Sequence, residues 1–345
     1  MNTVFFGTPD FSVPSLRALA ETTNVKAVIT GPDARRGRGK KLKPPPVKEA
    51  ALELGLPVLQ PYSIRDLEFL ELMASYELDL GVVVAYGRIL GRRLLRTPRL
   101  RFVNVHASLL PKLRGAAPIQ RAIMEGHEKS GVCIMRMQLG LDKGPVYIRK
   151  ETDITAEETS GTLHDKLADI GALALKEFIA AAIEDKIPKA QIQEHDDATY
   201  AEKITGKDEW IDWKKTRRQI DCQIRGLAPR PGACTHFRGQ RLRILEASIA
   251  QVTTEAPVGT TEAPIGTIVL IKKEPYVQCQ DGLLKLDKIQ LQGKKACAGR
   301  DFANGYRLTE GESLKGEALE GAALEGAALV SPNQGAAPKS TETKQ

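Results

Sequence analysis

The sequence contains few cysteines and no long apolar run, and both shortages limit what the protein can be. Its 345 residues include five cysteines, which are widely scattered: Cys133, Cys222, Cys234, Cys279 and Cys297. They form no CxxC pair, so the sequence argues against a disulfide framework and a zinc site and predicts reduced thiols in the cytoplasm. No apolar run approaches the roughly 20 residues of a membrane-spanning helix, and no membrane partner is expected. The run Met1–Phe6 reads directly as a strand, without the basic start of a secretory signal.

The composition is that of an ordinary globular protein, but its charge is unevenly distributed. Apolar residues make up 42% and charged residues 27% of the chain, which excludes collagen-like and wholly disordered proteins. The formal net charge is +7, and residues 205–309 carry eighteen bases against eleven acids. A basic C-terminal third fits an anionic partner, with RNA the leading candidate. It fits an ordinary solvated lysine-rich surface equally well.

The first half of the chain alternates short apolar runs with amphipathic stretches. The strand-like runs are Thr3–Phe6, Val25–Thr30, Leu80–Ala85, Arg101–Val105, Val132–Met137 and Val146–Lys150. The helix-like stretches lie near 13–21, 47–54, 65–75, 118–126 and 161–184. This rhythm predicts an α/β fold with a Rossmann-like, mostly parallel sheet that is covered on both faces.

The later part of the chain has a different pattern and suggests a second, smaller domain. We expect the first domain to span 1–187, a polar linker to span 188–209, and a second domain to span 210–309. Five short strand-like runs in the second domain predict an OB-like β-barrel. Residues 310–345 form a low-complexity stretch that we expect to be a tail, and a near-repeat at 253–264 looks like an insertion in a barrel loop.

Two polar residues near the end of one predicted strand are the first candidates for chemistry. Side chains alternate along a strand, so Asn104 and His106 lie on one face and Val103 and Val105 on the other. They lie at the carboxyl end of the strand, where open α/β sheets bind their ligands. A hydrogen-bonded polar pair that only closes the sheet is the competing interpretation. Two such residues on one face favour a site.

Asp142 is the best candidate for a third member of this site. It lies in a glycine-flanked turn, Gly140–Gly144, although an ordinary turn aspartate would look the same. A carboxylate near His106 would orient the imidazole and stabilise its protonated form, so that His106 and Asn104 could stabilise an oxyanion at an attacked carbonyl.

Motifs for other kinds of chemistry are missing from the sequence. There is no GxSxG nucleophile motif, Ser108 has no obvious base, and Cys133 lies in an apolar run. No cluster of histidine, cysteine and carboxylate has the spacing of metal ligands, so we expect no metal. The first turn, Gly7–Phe11, does not match GxGxxG, which argues against a dinucleotide.

A strongly basic loop follows the second predicted strand. Six bases fall within nine residues: Arg35, Arg36, Arg38, Lys40, Lys41 and Lys43. The loop leaves the same edge of the sheet as the candidate site, and its charge would attract phosphates. A solvated charge run is the alternative, but the position of the loop favours substrate RNA.

These residues resemble those of a known family, the folate-dependent formyltransferases. The resemblance rests first on Asn104–Pro111 (NVHASLLP) and on Leu141–Gly144 (LDKG). Further motifs are similar to the branch that formylates methionyl-tRNA: Phe6–Phe11, Gly37–Lys41, Arg114–Gln120, Ile211–Trp213 and Asn304–Leu308. The similarity runs from residue 2 to about residue 309.

The resemblance implies a reaction and a set of roles. The co-substrate would be 10-formyltetrahydrofolate, the acceptor the α-amino group of initiator methionyl-tRNA, and the setting translation initiation in the cytoplasm, with a monomeric enzyme and no metal. Asn104, His106 and Asp142 would be catalytic. The folate pocket would include Ser108, Leu109, Leu110 and Pro111, together with Val84, Ala85, Tyr86 and Gly87. The basic loop would contact the acceptor end of the tRNA, and the barrel would bind tRNA as well.

Two other functions stay open on the sequence alone. One is a different enzyme of formyl chemistry, such as a sugar-nucleotide N-formyltransferase or a formyltetrahydrofolate hydrolase or dehydrogenase domain, which would share the three catalytic residues. The other is a non-catalytic RNA-binding protein that works through its barrel.

Overall fold

The computed structural model describes residues 1–36, 41–249 and 263–315. The helices are α1 Val13–Thr22, α2 Pro46–Glu53, α3 Leu67–Ser75, α4 Arg92–Leu95, α5 Pro118–Met124, α6 Ser160–Ile183, α7 Arg217–Leu227 and α8 Gly299–Tyr306. The strands of the first part are β1 Asn2–Gly7, β2 Asn24–Ile29, β3 Ala34–Arg36, β4 Lys41–Lys43, β5 Val58–Leu59, β6 Leu80–Val84, β7 Phe102–His106, β8 Arg114–Gly115, β9 Lys129–Arg136, β10 Val146–Asp153 and β11 Tyr200–Ala201. The later strands are β12 Ala233–Phe237, β13 Gln240–Ile249, β14 Ile268–Ile271, β15 Glu274–Cys279, β16 Gly282–Leu291 and β17 Cys297–Ala298.

A seven-stranded sheet organises the first part of the chain, in the order β10-β9-β7-β6-β1-β2-β5. Every pair from β7 to β5 is parallel, whereas β9 runs antiparallel to both of its neighbours. One face packs on α1, α2 and α6, and the other on α3 and α4. Strand β6 is buried at every position, which explains its unbroken apolar sequence. The predicted α/β fold with a mostly parallel sheet is therefore confirmed.

An antiparallel sheet follows, in the order β12-β13-β16-β15-β14, with β17 paired to β16. Its core includes residues of α7 and α8. Helix α7 begins at Arg217, because Thr216 and Gln219 form a capping box there. Ile211 and Trp213 precede this helix and are buried in the same core. The predicted C-terminal β domain is confirmed, while its OB-like topology and domain bounds stay predictions.

The predicted tail starts too early. Residues 310–315 pack on the β domain: Leu314 is 3% exposed in its core, and Glu312 forms an ion pair with Arg238 at 2.8 Å. Isolated β-bridges join Ser313 to Thr267 and Lys315 to His236. Because the sequence beyond this point is acidic and repetitive, residues 310–315 look like the start of the tail, although they pack on the domain. Residues 316–345 and most of the insertion at 253–264 lie outside the described residues.

Replacing Leu314 by alanine tests whether this segment belongs to the domain. Removing a fully buried leucine side chain typically costs about 2–5 kcal/mol of unfolding free energy, and urea unfolding should show a loss of that size. Leu52→Ala is the matched control, because Leu52 on α2 is 60% exposed. Equal unfolding midpoints for the two variants would contradict this assignment.

Within the described ranges, no helix is both long and apolar enough to cross a lipid bilayer.

Candidate active site

Strand β7 carries two of the three predicted catalytic residues. Val103 and Val105 belong to the core beneath α6, and Phe102 belongs to the opposite core. Alternation along the strand therefore puts Asn104 and His106 on the Phe102 face, toward the carboxyl end of the strand. Asn104 is half-buried, and within the described residues its side-chain amide makes no hydrogen bond.

Asp142 reaches the same place by a route that the sequence does not predict. Because β9 is antiparallel to β7, the chain leaves β9 at the opposite edge, where the amide of Met137 donates to the carbonyl of Phe102. The segment 138–145 then folds back, and Asp142 Oδ1 lies 3.8 Å from His106 Nδ1. Its Oδ2 accepts a hydrogen bond of 2.9 Å from the Gly115 amide. The three predicted catalytic side chains thus lie on one face of the sheet.

The partners of His106 decide which ring nitrogen can act. Nε2 lies 3.1 Å from the carbonyl oxygen of Leu113. A carbonyl oxygen only accepts, so Nε2 carries a proton and donates it. Nδ1 is the nitrogen that faces Asp142, at a separation too long for a direct hydrogen bond. The ring is 6% and the carboxylate 13% exposed, so charge interactions between them are only weakly screened.

The predicted folate residues at the end of β6 and just after it divide into two kinds. The side chains of Val84 and Tyr86 are buried in the two cores of the sheet, and burial raises the pKa of the Tyr86 hydroxyl. Ala85 and Gly87 are exposed with positive φ angles of 45° and 79°. A ligand at this edge would therefore meet the backbone here, not the side chains of Val84 and Tyr86. An alanine in this conformation is strained, which is common at binding sites.

The motif Ser108–Pro111 mainly shapes the backbone after His106. The Ser108 hydroxyl donates to the carbonyl of Lys112 at 2.7 Å, and Leu110 is buried in a small cluster with Cys133. Leu109 and Pro111 are half-buried. Ser108 and Leu110 therefore hold the turn that positions Leu113, the partner of His106 Nε2.

Three apolar side chains on the segments that follow β6 and β9 are exposed, and they are not among the predicted site residues. Ile89 follows β6, and Leu139 and Leu141 lie on the segment that folds over β7. Exposed apolar groups beside a few polar ones are typical of binding sites for flat organic ligands. Apolar residues inside a glycine-rich turn are the only signal in the sequence that could have identified them.

Two further buried side chains, Arg114 and Gln193, form hydrogen bonds that lead to Asp142, and neither is among the predicted site residues. Arg114 and Gln193 are buried, the guanidinium of Arg114 donates to the amide oxygen of Gln193, and the Gln193 amide donates to the carbonyl of Asp142 at 2.9 Å. Gln193 belongs to the stretch 188–209, which we expected to be only a linker. No local pattern marks it, because its partners are far away in the chain.

Neither Ser108 nor Cys133 is suited to covalent catalysis. Burial raises the pKa of the Cys133 thiol to about 11, so it stays protonated at neutral pH. The hydroxyl of Ser108 is used in the bond to Lys112. Among the described residues, no three histidine, cysteine or acidic side chains are grouped as metal ligands would be.

The basic loop begins and ends as a two-stranded hairpin. Strands β3 and β4 pair antiparallel, and at their base Lys48 contacts Asp33 at 2.8 Å, a hydrogen bond that holds the pKa of this carboxyl below its usual range. Arg35, Lys41 and Lys43 are exposed and form no ion pair with another described residue. Arg36 ends β3, and Arg38 and Lys40 lie outside the described residues.

Comparison with known proteins covers both parts of the chain. A family model described as formyl transferase matches residues 1–179, and one described as formyl transferase, C-terminal domain, matches residues 203–307. A methionyl-tRNA formyltransferase of Natranaerobius thermophilus is 40% identical over 91% of this chain and 100% of its own length. One of a Sulfurihydrogenibium species is 43% identical over 90% and 99%.

Solved structures share the fold at low sequence identity. WlaRD, a sugar 3N-formyl transferase, is 17% identical with a TM-score of 0.62 over 86% of this chain and 99% of its own. An N-formyltransferase from Helicobacter canadensis is also 17% identical, with a TM-score of 0.61 over 82% and 98%.

Proposed function

Because the chain belongs to the formyl transferase family and, within it, to the methionyl-tRNA formyltransferases, we propose that it formylates the α-amino group of methionyl-tRNA. The proposed donor is 10-formyltetrahydrofolate, the proposed acceptor the initiator tRNA, and the proposed setting translation initiation in the cytoplasm. The observation that carries the proposal is the His106–Asp142 pair beside Asn104, in a chain that matches these enzymes over nine-tenths of its length.

The folate, when bound, supplies a formyl group whose carbon is open to attack by an amine. We assign the stabilisation of the formyl oxygen to Asn104 and His106. Since Nε2 of His106 is held by Leu113, the proton that reaches this oxygen must be on Nδ1. The Asn104 amide supplies a second donor, and each such donor typically contributes about 10²–10³ in rate.

We assign the proton of the attacking amine to Asp142. A model α-amino group has a pKa of about 7.7–8.0, so much of it is protonated at neutral pH and must lose a proton before it attacks. The carboxylate, 3.8 Å from His106 Nδ1, can take this proton directly or through one water. The proton then leaves with the folate nitrogen, so the pair ends in its starting state.

A direct assay tests this function. The protein is incubated with methionyl-tRNA and 10-formyltetrahydrofolate, the ester is hydrolysed with base, and N-formylmethionine is measured. A parallel reaction replaces the tRNA with an amino-sugar nucleotide. We expect formylmethionine and no formylated sugar, and the reverse result would assign the chain to the sugar enzymes whose fold it shares.

The hairpin should bind tRNA phosphates. We expect the double variant Lys41→Glu, Lys43→Glu to raise KM for tRNA and to leave KM for folate unchanged. The slope of log KM for tRNA against log salt concentration should fall by about 0.7–0.9 for each phosphate that the variant no longer binds. Lys186→Glu is the matched control, because Lys186 lies just beyond the last turn of α6, contacts Glu184, and belongs neither to the hairpin nor to the predicted site residues. An unchanged salt dependence would contradict an RNA role for the hairpin.

A further inference from the structure

Arg114 carries a charge that no carboxylate among the described residues neutralises. Its side chain is 1% exposed, and it forms no ion pair with an acidic residue in the part of the chain that is described. Nε and Nη2 both donate to the amide oxygen of Gln193, at 3.1 and 2.7 Å, and Nη2 also donates to Nδ1 of His195 at 3.1 Å. Hydrogen bonds from a buried cation are strong, so Gln193 is the main group that compensates the burial of this arginine.

This contact fixes the orientation of the Gln193 amide. A guanidinium only donates, so the group that faces Arg114 must be the amide oxygen, and the NH₂ group must point the other way. On that side it donates to the carbonyl oxygens of Asp142 at 2.9 Å and of Gly144 at 2.6 Å. Gln193 is 2% exposed, and both of its amide hydrogens are used on the segment that carries the catalytic carboxylate.

That segment needs outside support. Asp142 has a φ angle of +49°, in the left-handed region that non-glycine residues uncommonly adopt, although aspartate enters it more readily than most. Leu139 and Leu141 are exposed, so apolar burial contributes little to the position of the turn. Besides the two bonds from Gln193, the segment is held by the Gly115 amide on Oδ2, by the side-chain amide of Gln138 on the Lys143 carbonyl, and at its end by the Arg136 amide on the Pro145 carbonyl.

We propose that Gln193 is a positioning residue for Asp142, and that the buried guanidinium of Arg114 holds Gln193 in the orientation this requires. The inference rests on the proposed function, in which Asp142 takes the proton of the amine. Gln193 touches neither substrate in this account. It acts by keeping the carboxylate where it meets both His106 Nδ1 and the attacking nitrogen.

Gln193→Glu keeps the contact of this side chain with Arg114 and removes its contacts with the carbonyls of Asp142 and Gly144. Glutamate keeps oxygens that accept from Arg114, now as an ion pair, but it has no hydrogens for the carbonyls of Asp142 and Gly144. Small misplacements of a catalytic group cost about 10²-fold in rate, so we expect kcat to fall by about that factor while KM for tRNA stays unchanged. Gln191→Glu is the matched control: Gln191 lies in the same segment, and its exposed side chain accepts only from Arg149.

Measuring Gln193→Glu a second time, in a protein that already lacks the Asp142 carboxylate, distinguishes a positioning role from a general structural role. In an Asp142→Asn protein, measured in single turnover, Gln193→Glu should add little further loss, because residues that act through one group are not additive. The same loss in both backgrounds would overturn the proposal, and so would a normal kcat for Gln193→Glu. Gln193→Asn, which keeps the amide on a shorter side chain, gives an independent variant with the same expected result if the glutamate protein does not fold. If the unaltered protein does not formylate methionyl-tRNA, the proposed function fails and this inference fails with it. If the unaltered protein is active and Gln193→Glu keeps a normal kcat, only the inference fails.

Discussion

Replacement of His106 by alanine should lower kcat for formyl transfer by about 10²–10³-fold, because one of two donors to the formyl oxygen is removed. Affinity for tRNA should stay the same, since His106 is nearly enclosed by its own domain and faces Asp142 and Leu113. Single-turnover rates with enzyme in excess, together with a tRNA binding isotherm, measure the two quantities separately.

His127→Ala is the control for this loss. His127 is partly exposed, and its ring contacts Glu125, away from the catalytic pair. It should retain the rate of the unaltered protein. A His106→Ala protein that still formylates at the full rate would show that the imidazole is not part of the reaction. A non-catalytic RNA-binding protein would give that pattern.

Replacement of Asp142 by asparagine should lower kcat by about 10²–10⁴-fold, the usual contribution of a positioned base. The amide oxygen of asparagine can still accept from the Gly115 amide, and Gln193 binds only the backbone of residue 142, so the turn should keep its shape. The charge and the proton acceptor are lost.

The test for Asp142 needs a stability measurement beside the rate. Thermal unfolding of Asp142→Asn should match that of the unaltered protein, which separates loss of chemistry from loss of fold. A rate within threefold of normal would exclude Asp142 as the base. A rate loss accompanied by a much lower melting temperature would point to a structural role instead.

Sequence patterns predict the parts of this molecule that depend on near neighbours. Alternation along β7 correctly assigns the faces of Val103 and Asn104, since the side-chain period of a strand is fixed by its own backbone. The unbroken apolar run of β6 likewise predicts a strand that is buried on both faces. These predictions need no knowledge of the rest of the chain.

The parts that depend on distant neighbours are the ones that the sequence misses. The direction of β9 is set by pairing on both sides, so the path of Asp142 back over the sheet cannot be read from residues 137–145 alone. Arg114 and Gln193 are 79 positions apart, and nothing local marks either as a partner of the other. Tyr86 stands where the resemblance places a folate residue, but only coordinates reveal that its side chain points into a core.

The short pairing of β8 with β11 affects where this protein can be divided. The amides of Arg114 and Ala116 donate to the carbonyls of Thr199 and Ala201, each at 2.9 Å, so the chain returns to the reaction centre before it enters the second domain. A chimera that takes its C-terminal β domain from a relative should therefore be joined after residue 201. A junction at residue 187, where the sequence suggests one, would replace the glutamine that anchors the aspartate with whatever the donor protein carries there.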